Sequence, residues 1–266
     1  RRPPRSTLDR SSAASDVYKR QVEGLTDEQI RRARAGYYGN ITHLDRQVGV
    51  VLHALAETGL EKNTVVIYLS DHGEMAGERG MWWKSDFFEA SVGVPLVVSF
   101  PPHFSPARRR EVVSLVDIGP TLLEMAGADP LPTASGASLV PLLEGRHDSV
   151  PRPAFSEKYP YAGTPPGRMI RDGNWKLVHH EGQTPMLFDL EKDPGELTDL
   201  GTSDAHATIR DALHHRVRSG WDPDRMQAVL AKREKHHPLL RAWYETVRPP
   251  RLGQWHAPDG ANQFPL

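Results

Sequence analysis

An α/β layer followed by a small antiparallel sheet with helices is the fold class this 266-residue sequence predicts. Three observations carry it. A long helical period leads at once into an unbroken apolar run, Val65–Leu69, the pairing of an α/β unit. A second apolar run spans Pro95–Phe100. After a stretch rich in Pro, Gly and Ser, 129–152, the apolar runs shorten and flank Asp172-Gly173-Asn174, a hairpin signal.

Composition bounds the function classes. The length is ample for a buried core. Lysine and arginine (33) nearly balance aspartate and glutamate (34), and the two signs are interspersed, so no nucleic-acid surface is expected. No apolar run approaches the ~20 residues of a membrane helix. Cysteine is absent, which excludes disulfides, thiolate metal sites and a cysteine nucleophile within these residues. The residues fix no compartment, and a cytoplasmic one is only marginally favoured.

Taken in order, residues 1–21 are basic, serine-rich and aperiodic, without the apolar core of a secretory signal, and read as a disordered, non-native-looking leader. Thr26 to Thr58 predicts one long helix. Thr26 with Gln29 matches a capping box, Ile30, Ala33, Tyr37, Ile41, Leu44, Val48, Val51 and Leu55 recur at three and four, and Gly59 stops it. Val65–Leu69 and Pro95–Phe100 read as strands buried on both faces, as in a parallel sheet. A helix from Asp117 to Met125 follows, with Asp117 as cap, Pro120 in the first turn and Gly127 after the end. Beyond the linker, Met169–Arg171, Lys176–His179 and Met186–Leu190 are strands. Ala205–Val217 and Asp222–Val247 are helices, the second bent or divided at Pro238. The domain expectation is therefore leader 1–21, α/β part 22–130, linker and antiparallel subdomain 131–204, and C-terminal helices with tail 205–266.

The chemistry concentrates where the first strand ends. Ser70-Asp71-His72-Gly73 places a carboxylate and an imidazole at a strand's carboxyl end, where open α/β sheets bind ligands. Gly73 permits a sharp departure. An isolated Asp-His-Gly would read as a capped turn. Lys84, thirteen positions after Asp71 and next to Trp82 and Trp83, shifts the balance toward an anion site. Glu74, Glu78 and Arg79 read as residues holding the loop, although any could touch substrate. The pairs His179-His180, His214-His215 and His236-His237 lack zinc-helix spacing and read as surface histidines.

Ser-Asp-His-Gly-Glu-Met-x-Gly-Glu-Arg-Gly-x-Trp-x-Lys, then Phe-Phe-Glu and Val-Pro-Leu, resembles the C-terminal half of the type I sulfatase catalytic domain, within the alkaline-phosphatase superfamily. The resemblance is strongest to its choline-sulfatase-like and phosphonate-monoester-hydrolase-like branch. It runs from about Val22 to Leu200 and takes in Val-Asp-Ile-x-Pro-Thr-Leu-Leu, Arg-Asp-Gly-x-Trp-Lys-Leu and Leu-Phe-Asp-Leu. It implies a partial alkaline-phosphatase-like parallel sheet followed by a small antiparallel subdomain. It implies that Asp71 and His72 ligate a divalent metal, Ca²⁺ first with Mn²⁺ or Mg²⁺ as alternatives, and that Lys84 contacts the sulfate. Asp117 and Thr121 are structural in that pattern.

The same family uses a formylglycine nucleophile made from Cys or Ser in Cys/Ser-x-Pro-x-Arg, with further metal ligands in an N-terminal segment. Here a near match is Ser149-Val150-Pro151-Arg152-Pro153, rejected because Pro153 stands where arginine belongs. The expectation is a C-terminal fragment of a metal-dependent sulfuric ester hydrolase without its nucleophile, acting on a small sulfate ester. Phosphonate or phosphate ester hydrolysis, or a non-catalytic remnant, is the alternative. The apolar-tipped tail and C-terminal helices suggest homo-oligomer contacts.

Overall fold

The computed structural model describes residues 24–84, 86–146, 152–159 and 165–248. The expected leader 1–21, and the tail from residue 249 on, lie outside them. By contacts the chain divides into a unit ending at Trp221 and a second beginning at Asp222. No helix among the described residues is long and apolar enough to cross a membrane.

Helix α1 spans Asp27–Glu57, and the capping box forms: Thr26 Oγ1 accepts from Gln29 N–H while the Gln29 side chain accepts from Thr26 N–H. Its first turns are tied to the loop after the first strand. Arg34 Nε donates to Ala76 O at 2.5 Å, and Ile30 lies against Gly77. Farther along, none of its residues is buried among the described residues.

Strands β1 (Val66–Leu69) and β2 (Leu96–Ser99) form a two-stranded sheet. Two expectations are corrected here. The pair runs antiparallel, Val66 opposite Ser99 and Leu69 opposite Leu96, rather than parallel. The strands are not covered on both faces, since Tyr68, Leu69 and Val97 are exposed. The cause is the intervening chain. Among the described residues between β1 and β2 there are a 3-10 turn at Glu78–Gly80 and one single-turn α-helix, α2 (Glu89–Val92), but no long crossover helix of the kind that returns a chain for parallel pairing. The segment instead folds down onto the second sheet.

That second sheet carries the core. Strands β3 (Ala154–Lys158), β4 (Gly167–Asp172), β5 (Trp175–His180) and β6 (Met186–Asp189) form an antiparallel meander in that order. In chain order, helices α3 (Ile118–Met125) and α4 (Val140–Leu143) come between β2 and β3. The β4–β5 connection is Gly173-Asn174, with Asp172 paired to Trp175 and φ of +57° at Gly173, as a tight primed turn requires. Period-two alternation then sorts the side chains. Ile170, Leu177 and Leu187 face helix α5 (Ala207–Arg218) and pack on Leu213 and Val217. Phe188 and Leu190 face the loop after β1 and pack on Met75, Met81 and Phe88, while Met169 and Val178 pack on Phe87.

Asp117 does not cap α3 with its side chain. Its carboxylate accepts from Ser114 N–H and Ala137 N–H, both at 2.9 Å, and so staples the start of α3 to the segment before α4. Thr121 completes the staple by accepting from Leu139 N–H. In the second unit, α6 (Pro223–Glu234) and α7 (His237–Val247) are separate helices, with Pro238 in the first turn of α7, so division at that proline holds.

The histidine expectation is corrected in part. His179 and His180 are buried in β5, each about 3% exposed, because that strand is covered on both faces. Both His180 ring nitrogens are without a hydrogen-bond partner, and the ring lies against Phe87. Burial pushes its pKa down from 6.5 to about 4, opposed by the Asp86 charge and helped by Lys158 and His179. At pH 7 the ring is neutral folded and unfolded. Below about pH 6.5 the unfolded chain takes up the proton and the folded chain does not until about pH 4. Stability is therefore lost as pH falls through that window, by up to about 3 kcal/mol from this residue. His179 and His214, also pushed down by burial, add to the slope. Urea unfolding at pH 7 and pH 4.5 is expected to show this loss, and His180→Asn to reduce it. An unchanged slope in that variant would contradict the assignment.

Candidate active site

The three side chains singled out by sequence meet at one edge. Asp71 and His72 leave the carboxyl end of β1, and Lys84 returns on the loop between β1 and α2. His72 Nε2 lies 3.5 Å from Asp71 Oδ2. The Lys84 ammonium donates to the same Nε2. The other ring nitrogen, Nδ1, is 2.7 Å from Gly73 O. A carbonyl only accepts, so Nδ1 carries the proton and Nε2 presents a lone pair. The Asp71 carboxylate is open to solvent, 83% exposed, and His72 is half-buried.

A tight backbone contact sets this edge. Gly73 N–H donates to Ser91 O at 2.8 Å, and a Cβ at Gly73 would stand 2.1 Å from Ala90 O. Only glycine tolerates that approach. The loop that follows is wound through left-handed residues, with φ of +47° at Ala76, +54° at Arg79 and +72° at Trp83. Such conformations need surrounding structure to hold them. Glu74 supplies part of it, accepting from Ala76 N–H and Trp83 N–H, and Arg79 donates to Gly195 O and Glu196 O while lying 4.0 Å over the Phe88 ring. Both residues hold the loop, as their sequence positions suggest. Glu78 contributes through its backbone, accepting from Met81 N–H.

Asp71, His72 and Lys84 line a cavity of about 720 Å³ whose far wall comes from β2, from the segment before α3 and from strand β3. Sequence reading missed several of its charged walls. Asp86 and Glu89 follow Lys84 within the family-like stretch, and Arg171 sits in the Arg-Asp-Gly turn, so their motifs offered a signal. Lys158 offered none, because an edge-strand lysine looks solvated. Here burial pushes its amine down from the ordinary value, with the Asp86 charge acting in the opposite direction.

Asp71 Oδ2 and His72 Nε2 are two lone-pair donors 3.5 Å apart. Ligands about 2.0–2.6 Å from one cation and roughly at right angles are separated by about this much. The Lys84 ammonium, itself a cation, sits at His72 Nε2. The donor pair thus fits a divalent ion but fills only part of its sphere. No cluster of three or more His, Cys, Asp or Glu side chains able to hold a metal occurs among the described residues.

Comparison with known proteins gives the site its context. The profile of the family described as Sulfatase matches residues 6–128, and that of N-sulphoglucosamine sulphohydrolase, C-terminal, matches residues 77–221, more than half of the chain. Choline-sulfatase of Rhizobium meliloti is 34% identical over 244 residues, covering 88% of this chain and 46% of the relative. Arylsulfatase K of Mus musculus is 34% identical, covering 84% of this chain and 41% of the relative. The crystal structure of phosphonate monoester hydrolase of Agrobacterium radiobacter superposes with a TM-score of 0.67 at 34% identity, covering 74% of this chain and 42% of that one. The chain spans about half the length of the curated relatives it matches. From the matched profiles, and from the Asp-His edge and lysine they enclose, the chain belongs to the sulfatase family, with its alkaline-phosphatase-like α/β fold.

Proposed function

We propose that this chain supplies the cation edge and the anion-binding lysine of a sulfuric ester hydrolase. The convergence of Asp71, His72 and Lys84 in one cavity carries the reading. Asp71 Oδ2 and His72 Nε2 would hold the divalent ion, Ca²⁺ by preference with Mn²⁺ or Mg²⁺ as alternatives, since carboxylate oxygen suits all three and the imidazole also admits Mn²⁺. When bound, that ion supplies positive charge beside the reacting group and acidifies a coordinated hydroxyl.

The chain's own residues prepare the rest. The Nδ1–H···O=C contact to Gly73 fixes the His72 ring and its tautomer, so Nε2 faces the cavity without a search among rotamers. Lys84 lines the same hollow on a loop fixed at both ends, and its ammonium would meet the non-bridging oxygens of a sulfate ester. The cavity beyond, with Phe155 and Lys158 on strand β3, leaves room for the ester's organic group. A second reading, phosphonate or phosphate ester hydrolysis, is favoured by the likeness to the Agrobacterium radiobacter enzyme. Homo-oligomer contacts through α6, α7 and the tail belong to the same proposal, supported by the exposed Leu239, Leu240 and Trp243 of α7.

Turnover of an aryl sulfate and of a phosphonate monoester, by a protein joining this chain to a formylglycine-bearing segment, tests the reading. The expected result is a higher kcat/KM on the sulfate ester. A clear phosphonate preference would overturn it. In that protein Asp71→Ala and Lys84→Ala are each expected to lower kcat about 10²–10³-fold, and undiminished rates in either would show the roles misassigned. The 266-residue chain by itself is expected to show no turnover, because no Cys/Ser-x-Pro-x-Arg occurs in it.

A further inference from the structure

Lys176 is a fully buried lysine, 0% exposed, at the second position of β5. It is paired across the sheet with Phe188 and Arg171 and shares a face with Val178. An ammonium in such a place persists only when paired. Its Nζ donates to Glu89 Oε1 at 2.9 Å and forms an ion pair with Glu196 Oε1 at 2.8 Å. The arrangement closes on itself. Glu196 Oε2 accepts from Glu89 N–H at 2.8 Å, and the Arg171 guanidinium binds the other Glu89 oxygen. Glu196 is itself buried and holds a left-handed φ of +52°. Two carboxylates from distant segments are thus drawn together by one ammonium.

Glu89 is the first residue of α2, and α2 is what the Asp71–His72 edge rests on. Gly73 N–H donates to Ser91 O, and Gly73 Cα lies so close to Ala90 O that no side chain fits between them. His72 in turn is oriented through Gly73 O. The contacts run without a gap from Lys176 to Glu89, along α2 to Gly73, and so to His72. Lys176 reaches neither the cavity nor the donor pair.

We propose that Lys176 is a positioning residue, whose ammonium holds α2 on the C-terminal sheet and thereby sets His72 Nε2 relative to Asp71. Without that charge, the buried Glu196 loses its ion-pair partner while Glu89 retains Arg171, so the two carboxylates are no longer drawn together, and α2 and the Gly73 contact shift with them. Its functional consequence rests on the proposed roles of Asp71 and His72. The geometric claim does not.

The test uses the 266-residue chain with ¹⁵N-labelled histidine at one fixed pH, reading the His72 ring nitrogens and their broadening by Mn²⁺. Lys176→Met and Glu89→Gln are expected to shift the His72 Nε2 signal and to weaken Mn²⁺ binding at least tenfold. Lys176→Arg, which keeps the charge, is expected to stay within threefold of the parent. Leu177→Ala serves as the comparison, because it destabilises the same strand from the opposite face, against α5. It is expected to lower the melting temperature while leaving His72 unmoved. An unmoved His72 in Lys176→Met and Glu89→Gln, or an equal shift in Leu177→Ala, would overturn the proposal. Should Lys176→Met not fold, Glu89→Gln and Lys176→Arg decide it alone. Absence of any Mn²⁺ effect on His72 in the parent would sink the cation-ligand reading, while the Mn²⁺-free signals still decide the positioning claim.

Discussion

A backbone-to-backbone approach at Gly73 is the constraint on which the candidate site depends. β1 must turn away from the two-stranded sheet at that point and lay its peptide against α2, and the space left is smaller than a methyl group. Everything with chemistry lies within reach of that contact: Asp71 and His72 before it, Lys84 on the loop that returns to it, and Glu89 at the start of the helix it rests on. The site is thus attached less to the β1–β2 sheet than to the four-stranded sheet behind α2.

Opposing terms meet in the loop from Glu74 to Phe88. Ala76, Arg79 and Trp83 in left-handed conformations cost roughly 1–3 kcal/mol each. Offsetting them are burial of Met75, Met81 and Phe88 against Phe188, and the Glu74 and Arg79 hydrogen bonds. Burial of large apolar side chains contributes about 1.5–3 kcal/mol apiece, enough to decide the balance in favour of one loop conformation. Trp83 shows where the offset ends, since its side chain is exposed while its backbone stays strained. Its amide is retained by Glu74, and that bond leaves the next residue, Lys84, at His72.

Local signals in the sequence translated directly into structure. The Thr26–Gln29 box, the turn at Gly173-Asn174 and the break before Pro238 depend on neighbours a few positions apart. That Asp71, His72 and Lys84 come together was legible for a related reason: one loop of fixed length joins them. What the sequence hid was long-range. An apolar run such as Val65–Leu69 says that a strand forms but not its partner's direction or what covers it, and here the partner is antiparallel with part of the run exposed. His179 and His180 looked like a solvated pair because nothing local marks β5 as covered on both faces. Lys176 is the extreme case. Its two carboxylates come from positions 89 and 196, and no pattern within β5 announces either.

The central claim is that the donor pair of Asp71 and His72 is shaped for one divalent ion, with Lys84 sharing the hollow. Anomalous diffraction from crystals of this chain grown with Mn²⁺ tests it most directly. The account predicts one strong peak within bonding distance of both Asp71 Oδ2 and His72 Nε2, with the Lys84 ammonium moved off the ring. Mn²⁺ absent from that edge, with Lys84 still hydrogen-bonded to His72, would contradict it.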